Sequence, residues 1–187
     1  LEWFRYLRDR RRAGAGVDEV NFWKPGGRKI GGLDRNDVFY FELKSPVNAV
    51  GGFGFFERFE RLPLDVAWDA FAEENGAPDL ATLDRQIRGY RHRGEAERLP
   101  LYEIGCIMLS GVVLFDDRDF VRRSSDWKIQ GAVIGGSVDE NSPEGKRVWD
   151  ECQLRATRRG AQGVVAGRIV ADAPTSVGGA YLRESRP

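Results

Sequence analysis

Residues 37–62, DVFYFELKSPVNAVGGFGFFERFERL, decide the fold. Residues 38–43 are rich in β-forming residues on both parities, which predicts a strand whose two faces are both covered. Ser45-Pro46 ends this strand, because proline cannot extend a hydrogen-bonded ladder. Residues 47–62 predict a longer strand, in which glycines mark a bulge, a sharp bend or the close approach of another backbone. Two long aromatic strands bent by glycine predict a small, strongly curled barrel with a mouth.

Helical patterns surround these strands. The first predicted helix would bury Trp3, Phe4 and Leu7, and the second would bury an apolar face of Val66, Ala67, Ala70 and Phe71. The predicted helices cover residues 1–12, 64–74, 79–90 and 142–159, and further strands are predicted at 17–23, 102–115 and 132–134. The fold class is therefore predicted as α+β, a curled β-barrel of about five to seven strands with flanking helices.

The positive charge is almost all arginine, although the formal net charge is zero. Only five of the 29 basic residues are lysines, and arginine suits bidentate contacts to phosphate and guanine. A GC-rich genome would explain the arginine excess, but it would not explain the clustering. Basic clusters occupy residues 1–12, 85–98 and 118–128, while residues 65–84 hold six acids and no base. This split predicts one surface with a local positive potential.

Several chemistries are disfavoured. With one histidine, His92, and no G-x-S-x-G motif, a serine hydrolase is not expected. Cys106 and Cys152 are not spaced as zinc ligands, and no phosphate-binding glycine loop occurs, so neither a metal nor a cofactor is expected. The two cysteines are interpreted as small buried residues of a reducing compartment, which predicts a cytoplasmic protein. The longest apolar run, residues 104–115, is about half of the roughly 20 residues that a membrane helix needs.

An ordered series of motifs resembles the N-terminal domain of a family of bacterial HNH restriction endonucleases. The resemblance runs from about residue 3 to residue 155. Its motifs are VNFWKPGG (20–27), FYFELKSPVNAVGGFGFF (39–56), LPL (62–64), AWDAF (67–71), ENG (74–76), IGCI (104–107), DW (126–127) and QG (130–131).

This resemblance implies a modification-dependent (type IV) restriction system. The N-terminal domain of such enzymes is similar to the PUA superfamily, which includes the SRA, EVE, YTH and ASCH domains. These small curled barrels hold a modified base, often one that is flipped from its strand. By this analogy, residues 1–160 form a module for duplex DNA with a modified base, 5-methylcytosine being the first expectation. Residues 161–187, rich in Gly, Ala and Ser, are expected to be a linker toward an HNH nuclease that this chain lacks, so the chain itself is not expected to be an enzyme.

The site residues follow from this hypothesis. Trp23 and Trp127 would stack on the base, since each lies where a strand meets a polar loop, and Asn21 and Asp126 would read its Watson–Crick edge. Phe55 or Phe56 would pack against a 5-methyl group, and ordinary core packing is the alternative for every one of these aromatics. The DNA backbone would be contacted by Arg28, Lys29, Lys44, Asn48, Arg122, Arg123, Lys128 and Gln130, together with the arginines of the first helix. The alternative for Lys44 and Asn48 is a structural role only, in which they stabilise the turn between the two long strands.

Two other functions stay open at this point. An ASCH-type hydrolase would act on a modified nucleoside through Lys44 with Glu42 or Glu57; Glu42 shares the strand parity of Lys44. An RNA-binding PUA-like module would prefer single-stranded RNA to methylated duplex.

Overall fold

The computed structural model describes residues 2–27, 31–91, 102–124, 136–138, 142–158 and 179–181. These residues mix helices and strands, which confirms the α+β class. The elements in chain order are α1 (Glu2–Arg12), β1 (Glu19–Lys24), β2 (Val38–Leu43), β3 (Ala49–Pro63), α2 (Leu64–Phe71), a 3-10 helix (Ala72–Asn75), α3 (Leu80–Tyr90), β4 (Glu103–Leu114), a 3-10 turn (Asp117–Asp119), β5 (Val121–Arg122), β6 (Gly136–Val138), α4 (Pro143–Arg158) and β7 (Gly179–Tyr181).

The strands are hydrogen-bonded in the order β1-β4-β3-β2-β7-β6, and β5 pairs with β3. The pairs β1–β4, β2–β3, β3–β5 and β6–β7 are antiparallel, and β2–β7 is parallel. Within the described residues, β1 and β6 stand at opposite ends of this order, so the sheet is open. The α+β prediction therefore holds, while the predicted closure into a small barrel is not confirmed.

The fold divides into two compact units, and each is discontinuous in the sequence. Of the described residues, the first unit contains 2–27, 31, 57–91 and 102–110. The second contains 32–56, 111–124, 136–138, 142–158 and 179–181. The long strands β3 and β4 contribute residues to both units.

The first unit has a core made mainly by α2, α3 and β4. Leu64 and Ala67 of α2 are fully buried together with Leu83 and Ile87 of α3. The burial of Trp3, Phe4 and Leu7 by α1 confirms the amphipathic pattern of that helix.

The predicted burial of Val66 and Ala70 is wrong, because both residues are exposed, Val66 by 44%. The apolar stripe of α2 starts at Leu64 and continues at Ala67 and Trp68. Successive helical residues are about 100° apart, which turns Val66 away from that stripe.

The second unit packs β2, β3 and α4 around aromatic side chains. Phe53 on β3 is the cross-strand partner of Tyr40 on β2 and packs against Trp149 on α4, with 5.2 Å between the ring centroids of Phe53 and Trp149. Phe39, Tyr40 and Phe41 are consecutive in β2 and are all buried. Both faces of this strand are therefore covered, as the sequence predicted.

The glycines of β3 act as the sequence predicted. The register between β2 and β3 shifts between Tyr40 and Glu42, so an irregularity of the bulge type lies opposite Phe41. A Cβ added at Gly52 would lie 2.1 Å from the backbone oxygen of Val113. Both the bulge and the close approach of a second backbone are thus present in the second unit.

Gly52→Ala is expected to lower the free energy of unfolding by more than about 2 kcal/mol, because the methyl group would overlap a backbone atom that cannot move aside. Urea unfolding followed by circular dichroism measures the change. Gly89→Ala is the matched control, since a Cβ there meets no described atom within 4 Å. Gly89 lies in α3, so this control should stabilise by up to about 1 kcal/mol. Equal effects of the two substitutions would contradict the close approach at Gly52.

Candidate nucleic-acid interface

The turn that joins β2 to β3 is exposed over four consecutive residues, Ser45 to Asn48. The backbone N–H groups of Val47 and Asn48 both donate to the carbonyl oxygen of Lys44, at 2.9 and 3.2 Å. Asn48 has a φ of 48°, a left-handed conformation that asparagine adopts more readily than most residues. The turn is therefore closed by its own backbone and presents its side chains to solvent.

Strand β5 pairs with the start of β3 beside this turn. Arg122 lies opposite Ala49, and Nη2 of Arg123 donates to Oδ1 of Asn48 over a long 3.4 Å. The structure thus brings together four of the described residues that the sequence assigned to DNA-backbone contacts: Lys44, Asn48, Arg122 and Arg123.

The two arginines of this cluster have different surroundings. Nη1 of Arg123 forms an ion pair of 2.7 Å with Glu42, and the Glu42 side chain is only 1% exposed. A buried carboxylate needs such a partner, so much of the charge of Arg123 is used inside the protein. Arg122 is exposed, and no ion pair joins it to another described residue. Arg122 is therefore the better placed of the two to meet an external anion.

Side chains of helix α4 form hydrogen bonds with the backbone of Arg122 and Ser124. Nη2 of Arg147 donates to the carbonyl oxygen of Arg122 at 2.8 Å, and the N–H of Ser124 donates to Oε1 of Glu144 at 2.8 Å. The guanidinium of Arg147 also donates to Glu144, and this bond is the main reason that the pKa of Glu144 falls to about 2. The side chain of Arg122 thus projects from a backbone that is fixed on both sides.

Asn21 lies in the first unit and does not face solvent. Its side chain is fully buried, and Nδ2 donates to Oδ1 of Asn75 at 2.8 Å. The Asn75 amide in turn donates to the carbonyl oxygens of Ala67 and Ala72. The structure therefore gives Asn21 a place in a buried amide network, whereas the sequence suggested an edge reader at a mouth.

Trp23 is half-buried, and its indole Nε1 donates to the carbonyl oxygen of Asn75 at 3.0 Å. The ring of Tyr90 lies 6.0 Å from it, centroid to centroid, and Tyr90 is 36% exposed. The sequence placed Tyr90 on the apolar face of α3 and missed this exposure. The available signal was its position as the last residue of the helix, where an amphipathic ring can keep one side in water.

The other predicted pocket residues are distributed as follows. Phe55 and Phe56 belong to the second unit and are 5% and 7% exposed. Phe55 packs against Trp149, with 6.5 Å between the ring centroids. Asn21 and Trp23 belong to the first unit. The predicted contacts at Arg28, Lys29, Asp126, Trp127, Lys128 and Gln130 lie outside the described residues.

The arginines of α1 are less available than the sequence suggested. Arg10 pairs with Glu73 at 3.0 Å and with Glu74 at 2.8 Å, both within the first unit. The acidic segment that follows α2 therefore neutralises part of the basic helix, and only the rest of that helix can face a polyanion.

The carboxylates of the hydrolase alternative are both engaged. Glu42 pairs with Arg123, and Glu57 accepts a hydrogen bond from the hydroxyl of Ser110. In the part of the chain that the structure describes, no group of three or more His, Cys, Asp and Glu residues is arranged to hold a metal ion. No helix there has the length and apolar character to cross a bilayer.

Comparisons with known proteins add no relative. No protein-family model matches the chain, and none of the curated proteins and none of the solved structures matches it.

Glu144→Gln is expected to lower the free energy of unfolding by about 2 kcal/mol at pH 7, because it removes a charged acceptor from Arg147 and Ser124. The pKa of Glu144 is about 2 in the folded protein against an ordinary value of 4.5, so its contribution is complete above pH 4.5. It is lost as the pH falls toward 2 and the carboxylate is protonated in the folded state too.

Urea unfolding of wild type and variant at pH 7 and at pH 2.5 tests this prediction. Glu19→Gln removes the same charge from an exposed strand residue and should change the free energy of unfolding by less than about 0.5 kcal/mol. A difference between wild type and Glu144→Gln that is as large at pH 2.5 as at pH 7 would contradict the assigned role.

Proposed function

We propose that this chain binds duplex DNA that carries a modified base, with 5-methylcytosine as the expected modification. The observation that supports this most directly is the convergence of Lys44, Asn48, Arg122 and Arg123 on one exposed turn and one short strand. The sequence assigned all four to DNA-backbone contacts, although up to 79 residues separate them along the chain.

Contacts to phosphate come chiefly from Arg122 in this proposal. Its side chain is exposed, while its backbone is fixed by Arg147 of α4. A guanidinium on a fixed backbone suits bidentate contact with phosphate oxygens. Such contacts set the position of the protein on the duplex and make affinity fall as salt rises.

The base is recognised after it has left the duplex. Unpairing costs a few kcal/mol, and stacking on an aromatic ring returns about 1–3 kcal/mol per base. Trp23 is the stacking residue, because its ring is held in one orientation by the bond to Asn75, and Tyr90 extends the aromatic surface beside it. Of the two predicted edge readers, Asn21 has its amide donor bound to Asn75. Asp126 lies outside the described residues, and its role as an edge reader rests on the sequence.

A PUA-like curl of the sheet is part of the same proposal. The glycine-bent half of β3 supports it, since Gly52 lies against the backbone of Val113 and the ladder shifts register there. Gly111 of β4 has a φ of 57°, which adds a second bend in the same unit. The chain then acts as the recognition module that directs an attached HNH nuclease to modified cytoplasmic DNA.

Arg122→Ala is expected to weaken binding to modified and unmodified duplexes alike and to reduce the slope of log K against log salt by about 1. The carbonyl of residue 122 remains for Arg147, so the fold should be intact. Fluorescence anisotropy at salt concentrations from about 50 to about 200 mM gives both the affinity and the slope. Arg58→Ala removes an exposed arginine that pairs with Glu60, outside the basic clusters, and should leave the slope unchanged. An unchanged slope for Arg122→Ala would remove the central contact of the proposal.

Tyr90→Ala and Trp23→Ala are expected to lower the preference for a 5-methylcytosine duplex over the matched unmodified duplex by about tenfold, since each removes part of the stacking surface. Competition binding at fixed salt, repeated with 5-hydroxymethylcytosine and N6-methyladenine, measures the preference. Leu154→Ala truncates a side chain that is 50% exposed on α4 and should not change it. If both aromatic variants keep full preference, the modified base is read elsewhere.

A further inference from the structure

Arg91 directly follows α3, and its side chain contacts two other segments of the first unit. Nε and Nη2 donate to the carbonyl oxygen of Pro25 at 3.0 and 2.8 Å, and Nη2 also donates to the carbonyl oxygen of Glu103 at 2.7 Å. The guanidinium carbon lies 4.1 Å from the ring centroid of the buried Tyr102, which is a cation–π distance. One side chain thus joins the end of α3 to the segment after β1 and to the start of β4.

This junction is adjacent in the chain to both members of the Trp23–Tyr90 ring pair. Pro25 is two residues after Trp23, and Arg91 comes directly after Tyr90. The ring of Trp23 is held by its bond to Asn75, whereas Tyr90 belongs to the last turn of α3. The last turn of a helix has carbonyl groups without partners in the helix, so it frays unless another group holds it. Arg91 therefore links the two backbones that carry the rings.

The relative placement of the two rings decides how a base can use them. Their centroids are 6.0 Å apart, and their planes are inclined by 57°. A planar base that lies flat on Trp23 therefore meets Tyr90 at an angle, and it contacts both rings only over a narrow range of spacing. A recognition surface binds more weakly when its supporting residues leave it loose, because its ordering then costs free energy at binding.

We propose that Arg91 is a positioning residue, which holds Tyr90 at the spacing from Trp23 that base recognition requires. This inference rests on the proposed stacking of a modified base on Trp23 and adds the group that sets the geometry of the ring pair. Arg91 acts without contacting the nucleic acid, because its Nε and Nη2 donate to backbone carbonyl oxygens. Lysine cannot replace it, because an ammonium group lacks the planar fork that reaches two carbonyls while its face covers the ring of Tyr102.

The first test needs no DNA. Labelling with 5-fluorotryptophan gives one fluorine resonance for each of the five tryptophans, and Trp23→Phe identifies the resonance of Trp23. Both Arg91→Ala and Arg91→Lys should shift or broaden this resonance, because Tyr90 no longer has a fixed place beside the indole. The other four resonances should keep their positions, which shows that the fold is intact.

Arg88→Ala is the matched control for both substitutions. The guanidinium of Arg88 lies over the same Tyr102 ring at 5.2 Å, but it forms its ion pair with Asp84 inside α3. The backbone carbonyl of residue 88, which accepts the N–H of Arg91, remains in this variant. The resonance of Trp23 should therefore stay in place.

The second test measures recognition. Arg91→Ala and Arg91→Lys should each lower the preference for a 5-methylcytosine duplex over the matched unmodified duplex by about tenfold, whereas Arg88→Ala should change it by less than about twofold. The salt slope should be unchanged for Arg91→Ala, since a phosphate contact would lower it by about 1. Adding Arg91→Ala to Tyr90→Ala should lower the preference no further, because Arg91 acts through Tyr90. The preference is a ratio of two affinities from one sample, so a smaller folded fraction does not alter it.

The outcomes separate the positioning role from the proposed function. If both Arg91 variants keep full preference, the positioning role is overturned while modified-DNA binding stands, whether or not the resonance of Trp23 has moved. If Arg91→Lys behaves like wild type and Arg91→Ala loses salt slope, Arg91 is a phosphate contact and the positioning role is again overturned. If wild-type protein shows no preference for the modified duplex, the proposed function fails and the role of Arg91 in recognition fails with it.

Discussion

A single buried carboxylate constrains the candidate interface. The side chain of Glu42, near the end of β2, is 1% exposed, and an ionised carboxylate at such a position costs several kcal/mol unless a cation pairs with it. Arg123 supplies that cation from the segment that follows β5. Because side chains alternate along an extended chain, an inward Arg123 leaves Arg122 directed outward. The exposure of Arg122 is thus a consequence of the ion pair that turns Arg123 inward.

The first unit shows the same principle with neutral groups. Nδ2 of Asn75 donates to the carbonyl oxygens of Ala67 and Ala72, and its Oδ1 accepts from Nδ2 of Asn21. The backbone carbonyl oxygen of Asn75 accepts from the indole N–H of Trp23. A buried amide network is stable only when nearly all of its donors and acceptors are used. The network therefore fixes the 3-10 segment after α2 and the orientation of Trp23 together. In both units, a buried polar group determines which neighbouring side chain remains available at the surface.

The regular elements were largely predictable because they depend on local patterns. The periodicity of α1, the serine before α4 with the proline at its first position, and the glycines of β3 each act within a few residues. Two features depend instead on pairing over long sequence distances. The two-residue strand β5 lies in a charged segment without alternation and pairs with Ala49 and Val50 of β3, about 70 residues earlier in the chain. The burial of Asn21 depends on Asn75, 54 residues away, so no local signal could reveal it.

The pairing of arginines also explains why counting charges in the sequence overestimates the positive potential of a surface. Most arginines with described ion pairs meet carboxylates of their own unit, as Arg10 does with Glu73 and Glu74 and as Arg147 does with Glu144 and Glu151. Such pairs cancel at a distance beyond the Debye length of about 8 Å at physiological salt. A cluster of arginines in the sequence therefore marks a nucleic-acid surface only where the fold leaves the cations without internal partners. By this criterion, the segment around Arg122 is a stronger candidate for such a surface than the five arginines of the first twelve residues. The electrostatic field that a phosphate meets depends on where each arginine lies relative to internal carboxylates, and not on how many arginines there are.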